Sequence, residues 1–275
     1  MRICLITPEP DHPLLADTAA LLRRRHQVES VDPNARSDAP QELVAVGTLA
    51  DVYLLKSRTA RALALARFLE ERGAPVLNSA AATGLCQDRT AMAELAQRAG
   101  LPFAGTRTVA TLARLAAKPK LAYPVVVKSR HSRRHDLVAR VDDAVQLRAL
   151  STAWPDEPVV MQEFTANSGW DHKLWVIAGE VFAALRRSEL ADADRGPALP
   201  LPLGDLPDGW LDLVRRVGSV FALDVYGVDV IDTGNGAPLI VDVNAFPGIR
   251  GQAGAPEALA ALTLRAAERG AVAAP

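Results

Sequence analysis

Two apolar strand-like runs near the C-terminus, VYGVDVIDT (225–233) and PLIVDVN (238–244), each carry a carboxylate among β-branched residues, and only GNGA separates them. A short Gly/Asn connector between such runs predicts an antiparallel hairpin. A carboxylate flanked by valines is costly to bury without a partner. Asp229 and Asp242 therefore constrain both how this hairpin packs and what it must meet. Successive strand side chains point to opposite faces, so Asp242 and Asn244 share a face, and a hairpin through GNGA would bring Asp229 alongside. Such hard oxygen donors suit Mg²⁺, or Mn²⁺ in its place, which takes one or two carboxylates and completes its shell with water and phosphate oxygens. The plainer alternative, a pair of ordinary turn-proximal acids, sits poorly with the apolar flanks.

The rest of the chain frames this hairpin. RICLIT (2–7), VYLLKS (52–57) and PVLN (75–78) read as strands. They alternate with a helical pattern through Leu14, Leu15, Thr18, Leu21 and Leu22 and with a helix over 60–73 closed by Gly73. That alternation predicts an α/β lobe with a parallel sheet over residues 1–84. Asp88 reads as the N-cap of a helix ending at Gly100. Beyond it the pattern becomes α+β with antiparallel sheets. YPVVVK (123–128), LVARV (137–141) and PVVMQEF (158–164) belong to a central lobe over 85–163. HKLWVIAGEVFAALRR (172–187) and the acidic hairpin belong to a third lobe over 164–275. Helices are expected near 142–152, 207–222 and 255–269. The Pro-, Gly- and Asp-rich stretch 192–209 reads as a long surface loop and a candidate lid. No internal repeat is visible, and the alanine-rich tail reads as frayed.

Bulk charge narrows the partners. Over 275 residues the net charge is −1, with Lys+Arg 31 and Asp+Glu 32, which gives no reason to invoke nucleic acid or an anionic membrane. Affinity for an anion must come from local cationic clusters. The first residues form a short apolar run rather than a signal segment, and no stretch approaches the roughly 20 apolar residues of a membrane helix. Cys4 and Cys86 lack metal-ligand spacing and read as buried thiols in a reducing, cytoplasmic setting.

Further along, several cations stand out of place. Lys128 ends the apolar strand YPVVVK, where an ammonium needs an anion such as a phosphate. Gln162, Glu163 and Phe164 end another apolar strand, whose backbone can offer hydrogen bonds to an adenine edge. Lys173 and Arg186 fall on adjacent strands of the 172–187 hairpin. The loop after Lys128 gathers Arg130, His131, Arg133, Arg134 and His135, which reads either as a solvated loop or as a clamp for an anion. Pro247 and Gly248 shape a tight turn where backbone can approach a phosphate, and Arg250 follows it. There is no GxxxxGK loop and no HRD–DFG pair, so P-loop and protein-kinase readings fail.

Taken in order, YPVVVK, MQEF, DHKLWVIAGEVFAALRR, GVDVID and DVNAFPG resemble an ATP-grasp protein over roughly residues 86–250. The resemblance implies phosphate contact by Lys128, an adenine hinge at Gln162–Phe164, and magnesium held by Asp229, Asp242 and Asn244. It implies transfer of the γ-phosphoryl group of ATP to a small anionic acceptor. Two branches fit. The ATP-grasp inositol polyphosphate kinases are resembled through DVNAFPG, through Lys56 as a substrate lysine, and through Arg89 in CQDRTAM. RRHDLVA adds His135, and the hairpin adds Lys173, Arg186 and Ser188. Gly248 and Arg250 would also lie on the substrate side. The carboxylate–amine ligases, which act through an acyl phosphate, are the alternative, although they usually carry Glu at the place of Asp242 and a glycine-rich loop where SRHSRRH stands. A silent nucleotide-binding regulator is a third reading, at odds with the complete metal set.

Overall fold

The computed structural model describes residues 1–35, 49–191 and 196–273. The first strands are β1 (Arg2–Ile6), β2 (Gln27–Val31), β3 (Val52–Leu55) and β4 (Val76–Leu77), with α1 (Pro13–Leu22), α2 (Ala60–Glu70) and α3 (Ala80–Leu85) between and after them. They form a parallel sheet in the order β2-β1-β3-β4. All of β3 is buried, as expected for a central strand of a sheet covered on both faces. α2 begins at the Thr59 cap, whose side chain accepts from the Ala62 N–H, and ends at Glu70. Gly73, in the left-handed region at φ 79, lies in the following turn rather than at the cap. β2 escapes sequence reading because QVESV is half exposed and lacks an apolar run.

A second sheet follows. α4 (Arg89–Arg98) starts at Asp88, which caps it by accepting from the Thr90 N–H, as its sequence predicts. β5 (Thr106–Val109), α5 (Leu112–Ala116), β6 (Val125–Ser129), β7 (Val138–Val141), α6 (Ala144–Ala153) and β8 (Val159–Glu163) complete it. The strands run antiparallel in the order β5-β8-β6-β7. Leu112, Leu115 and Leu147 from the two helices close a core with Val125, Val127 and Val159.

The third sheet holds β9 (Trp170–Ile177), β10 (Glu180–Arg187), β11 (Leu199–Pro200), β12 (Val225–Asp232) and β13 (Pro238–Ala245), antiparallel in the order β11-β10-β9-β12-β13. Ala178 and Gly179, both at positive φ, make the tight β9–β10 turn. α7 (Trp210–Phe221) packs on this sheet, and its fully buried Trp210 donates from Nε1 to the Gly236 carbonyl at 2.8 Å. Of the 192–209 stretch, residues 192–195 lie outside the described residues. The remainder is partly fastened: β11 pairs with β10, and Leu206 is buried.

α8 (Ala255–Ala273) runs back to the first lobe and packs on α1 and β3. One core cluster therefore contains Leu5, Leu15, Leu54, Val225, Phe246 and Leu259 together. Asn78, 2 % exposed, ties the same junction. Its Nδ2 donates to the Val225 carbonyl at 2.6 Å, and its Oδ1 accepts from the N–H groups of Asp224 and Val225 at 2.9 and 3.0 Å. Asn78→Ala strips partners from these backbone groups and should cost about 1–3 kcal/mol. Urea denaturation measures this, and an unchanged midpoint would remove Asn78 from the junction.

Candidate active site

The chemistry centres on an irregularity in β13. From the turn inward, Asp232 lies opposite Pro238 and Val230 opposite Ile240; the register then shifts, so that Asp229 faces Asp242 and Gly227 faces Asn244. Val241 is the extra residue of this β-bulge. In an unbulged ladder of the same residues Asp229 would sit opposite Val241, and Asp242 would project from the other face. The bulge also leaves the Val241 carbonyl open, and Lys128 Nζ donates to it at 2.9 Å.

Charge is concentrated around this pair. Lys173, opposite Asp229 on β9, places Nζ 2.8 Å from Asp229 Oδ2 and 3.4 Å from Asp171 Oδ2. Burial works against the Lys173 ammonium, but the carboxylates of Asp229 and Asp171 outweigh it and raise its pKa. Lys128, 7 % exposed, is pulled the other way: burial lowers its pKa, only partly opposed by Asp242. A cation held in this condition gains from an incoming phosphate. Arg89 is buried at the start of α4. It donates to Asp136 Oδ2 at 2.7 Å and to the Ser129 carbonyl at 2.8 Å, and its NH2 lies 3.7 Å from Asp242.

These groups line one cavity of about 460 Å³ between the second and third sheets, with the end of β3 at its mouth. Lys56, Arg89, Lys128, Gln162, Glu163, Phe164, Lys173, Arg186, Ser188, Asp229, Asp242, Asn244 and Gly248 all border it. At one end β8 finishes. Its ladder with β5 stops at Gln162, while Glu163 pairs only with Val125 of β6. Arg140 covers the Phe164 ring at 4.2 Å, and Gln162 is fixed by donating to Thr106 Oγ1 at 2.9 Å. Arg186 borders the cavity half-buried and has no ion-pair partner among the described residues.

Two expected residues fall outside this lining. His135 is exposed, with its backbone at φ 58, and Arg250 is exposed beyond the Gly248 turn. The basic loop is also less free than its sequence suggests. Arg130 grips Asp88 through Nε and NH2 at 3.0 and 2.7 Å, and Arg133 grips Glu157 at 2.7 and 2.8 Å. Much of the cluster thus fastens the loop to its own lobe.

Arg58, Asp136 and Asp171 border the cavity without having been singled out in the sequence. For Asp171 a signal existed: it stands two residues before Lys173 on one strand and so shares its face. Asp136 carried none, because its partner Arg89 lies 47 residues away.

Asp229, Asp242 and Asn244 present two carboxylates and an amide on one face. Among the described residues, no group of three or more His, Cys, Asp or Glu forms a metal cage. A site with so few protein ligands fits Mg²⁺ that keeps water and shares phosphate oxygens. Among the described residues, no helix is long and apolar enough to cross a membrane.

Comparison with known proteins bears on the fold and the family. The fold matches a RimK-domain ATP-grasp protein from Sphaerobacter thermophilus at TM-score 0.74 and 24% identity, over 96% of this chain and 100% of that one. It matches a D-alanine–D-alanine ligase from Bacillus anthracis at TM-score 0.74 and 17% identity, over 98% of each chain. The ATP-grasp ligase PsnB, solved with a minimal precursor, matches at TM-score 0.67 and 18% identity, over 96% of this chain and 99% of that one. At these identities the likeness is one of fold. No curated protein matches by sequence. The model of the RimK-like ATP-grasp domain matches residues 95–257, more than half of the chain, and the chain belongs to that family.

Proposed function

We propose that this protein is a Mg²⁺- and ATP-dependent carboxylate–amine ligase. In the first step a carboxylate oxygen of the acceptor attacks the γ-phosphorus of ATP; the bond to the β,γ-bridging oxygen breaks, leaving an acyl phosphate and ADP. In the second step an amine attacks the acyl carbon and expels inorganic phosphate, forming an amide and releasing a proton. The observation that carries this reading is the convergence of Lys128, Lys173 and Arg186 with Asp229, Asp242 and Asn244 on one cavity. Its other end is an open strand terminus suited to a nucleobase. Family membership and the fold's likeness to proteins named as ligases support the same reading.

Phosphoryl transfer asks for positioning and charge neutralisation rather than covalent help. Asp229, Asp242 and Asn244 would hold Mg²⁺, or Mn²⁺ in its place. Bound there, the cation neutralises phosphate oxygens. Lys128 would bind ATP phosphate, Arg186 would face the charge that develops on the transferred group, and Gln162–Phe164 would seat the adenine. Ser188 and Arg89 would complete the nucleotide side. The lobe over 1–84 would supply the acceptor mouth, and those over 85–163 and 164–275 would enclose the nucleotide. A reducing, cytoplasmic setting belongs to the proposal, on two free cysteines whose thiols burial pushes up to about 12.

An inositol-phosphate kinase would bind its acceptor between the lobes, with Lys56, His135 and Arg250. His135 and Arg250 lie outside the cavity lining, and the Lys56 ammonium already has protein acceptors, so the geometry gives this reading less support. The two separate in one experiment. The protein is incubated with ATP, Mg²⁺ and panels of carboxylate and polyol-phosphate acceptors, with and without hydroxylamine. A ligase yields ADP, free phosphate and, with hydroxylamine, a hydroxamate. A new phosphate ester by phosphorus NMR, with no hydroxamate, would overturn the ligase reading.

A further inference from the structure

Lys56 stands at the carboxyl end of β3, its backbone N–H bonded to the Ile6 carbonyl at 3.0 Å. Its side chain crosses to the third lobe. Nζ donates to the carbonyls of Phe246 and Pro247, both at 3.2 Å, and lies 5.6 Å from the centre of the Phe246 ring. Two of the three ammonium protons therefore serve the turn that follows the acidic strand β13. That turn is constrained elsewhere too. Phe246 is buried at φ 45, its N–H donates to Val225 at 2.9 Å, and the Ile249 N–H donates back to Pro247 at 3.1 Å.

Across a trans peptide the carbonyl and the following N–H point in opposite directions. Holding the Pro247 carbonyl on Lys56 therefore turns the Gly248 N–H away from Lys56. Gly248 borders the cavity, and among the described residues its N–H donates to no protein acceptor. On another side of the turn stands His12, 7 % exposed, with neither ring nitrogen hydrogen-bonded. A Cβ added at Gly248 would come within 3.4 Å of His12 Nε2. Burial, then the charges of Lys56 and Arg250, against the weaker pull of Glu9, hold the imidazole neutral, with its pKa lowered to about 4. A neutral ring carries one N–H donor rather than two, so it competes less for the carbonyls that Lys56 binds.

We propose that Lys56 is a positioning residue and not a contact for the acceptor: it fixes the Phe246 and Pro247 carbonyls so that the Gly248 N–H faces the cavity as an anion donor, with the His12 ring packed beside it. The first lobe thereby sets the geometry of the transfer end through backbone. The inference rests on the ligase reading only in giving that N–H an anion to meet.

The test compares Lys56→Met, which keeps the stem and removes the donors, with Lys56→Arg, which restores charge and donors. Amide hydrogen exchange by mass spectrometry reads the Phe246 and Ile249 amides. Calorimetry reads Mg·ADP alone and with aluminium fluoride, a mimic of the transferred phosphoryl group. In Lys56→Met the two amides should exchange about tenfold faster, following a weaker local opening free energy. ADP affinity should hold within about twofold, while the tightening by aluminium fluoride should fall about tenfold. Lys56→Arg should recover most of both. If Lys56→Met does not fold, Lys56→Gln takes its place with the same expectation. Wild-type exchange at both amides together with wild-type fluoride tightening would overturn the proposal. Failure of Mg·ADP to bind the wild-type protein would instead overturn the nucleotide reading of the cavity, and the exchange comparison would still judge Lys56.

Discussion

Asp242→Asn should fold normally and form ADP at least about a hundredfold more slowly, the scale of losing a main electrostatic stabiliser. The change is nearly isosteric, and the β12–β13 ladder does not depend on the carboxylate. What is lost is the charge that the bulge at Val241 places beside Asp229 and 3.7 Å from Arg89 NH2. An Asn can still offer one oxygen to a cation, so raising Mg²⁺ should recover part of the rate. A coupled ADP assay over a range of Mg²⁺, with a thermal melt to establish folding, reads the effect. Turnover at the wild-type rate in ordinary Mg²⁺ would take Asp242 out of the site.

Lys128→Met should weaken Mg·ATP binding at least about tenfold, or roughly 1.4 kcal/mol, because a point charge on a phosphate is lost from a buried position. The stem is kept, so packing within β6 should survive. The Val241 carbonyl loses its donor, which by itself costs about 1–3 kcal/mol of stability. Removing a buried ammonium offsets part of that cost. Binding and folding are therefore both expected to weaken, and they are read separately. Calorimetry with Mg·ATP measures the first and denaturant titration the second. His135→Ala, at an exposed position outside the cavity, should leave ATP affinity unchanged in the same experiment. If Lys128→Met binds ATP as well as the wild type, the strand-end lysine serves only the bulge.

Much of the fold was legible because its strands are apolar runs bounded by clear turn chemistry. The parallel first sheet, the Asp88-capped helix, the AGE and GNGA hairpins and the places of most later strands along the chain all follow from local pattern. Elements without such a pattern were missed. β2 and β5 are short and half polar, and α5 is a brief helix whose leucines matter only once α6 lies beside it. The return of α8 onto α1 could not be read either, since an amphipathic helix does not name the surface it will cover.

The candidate site divides in the same way. The sequence alone determined which residue types were out of place: carboxylates at 229 and 242 among valines, and a lysine closing an apolar strand. Those anomalies are local energetic facts, and they pointed to metal and phosphate. Tertiary structure decided which of these groups meet. A regular ladder of these residues would have turned Asp242 away from Asp229, and the bulge at Val241 brings the two to the same face. The same bulge gave Lys128 its carbonyl partner. Long-range pairing likewise spent Arg130 on Asp88, Arg133 on Glu157 and Lys56 on the Gly248 turn, leaving Arg186 half-buried at the cavity without an ion pair among the described residues. A side chain's charge is written in the chain, but whether that charge is already neutralised depends on neighbours that only folding supplies.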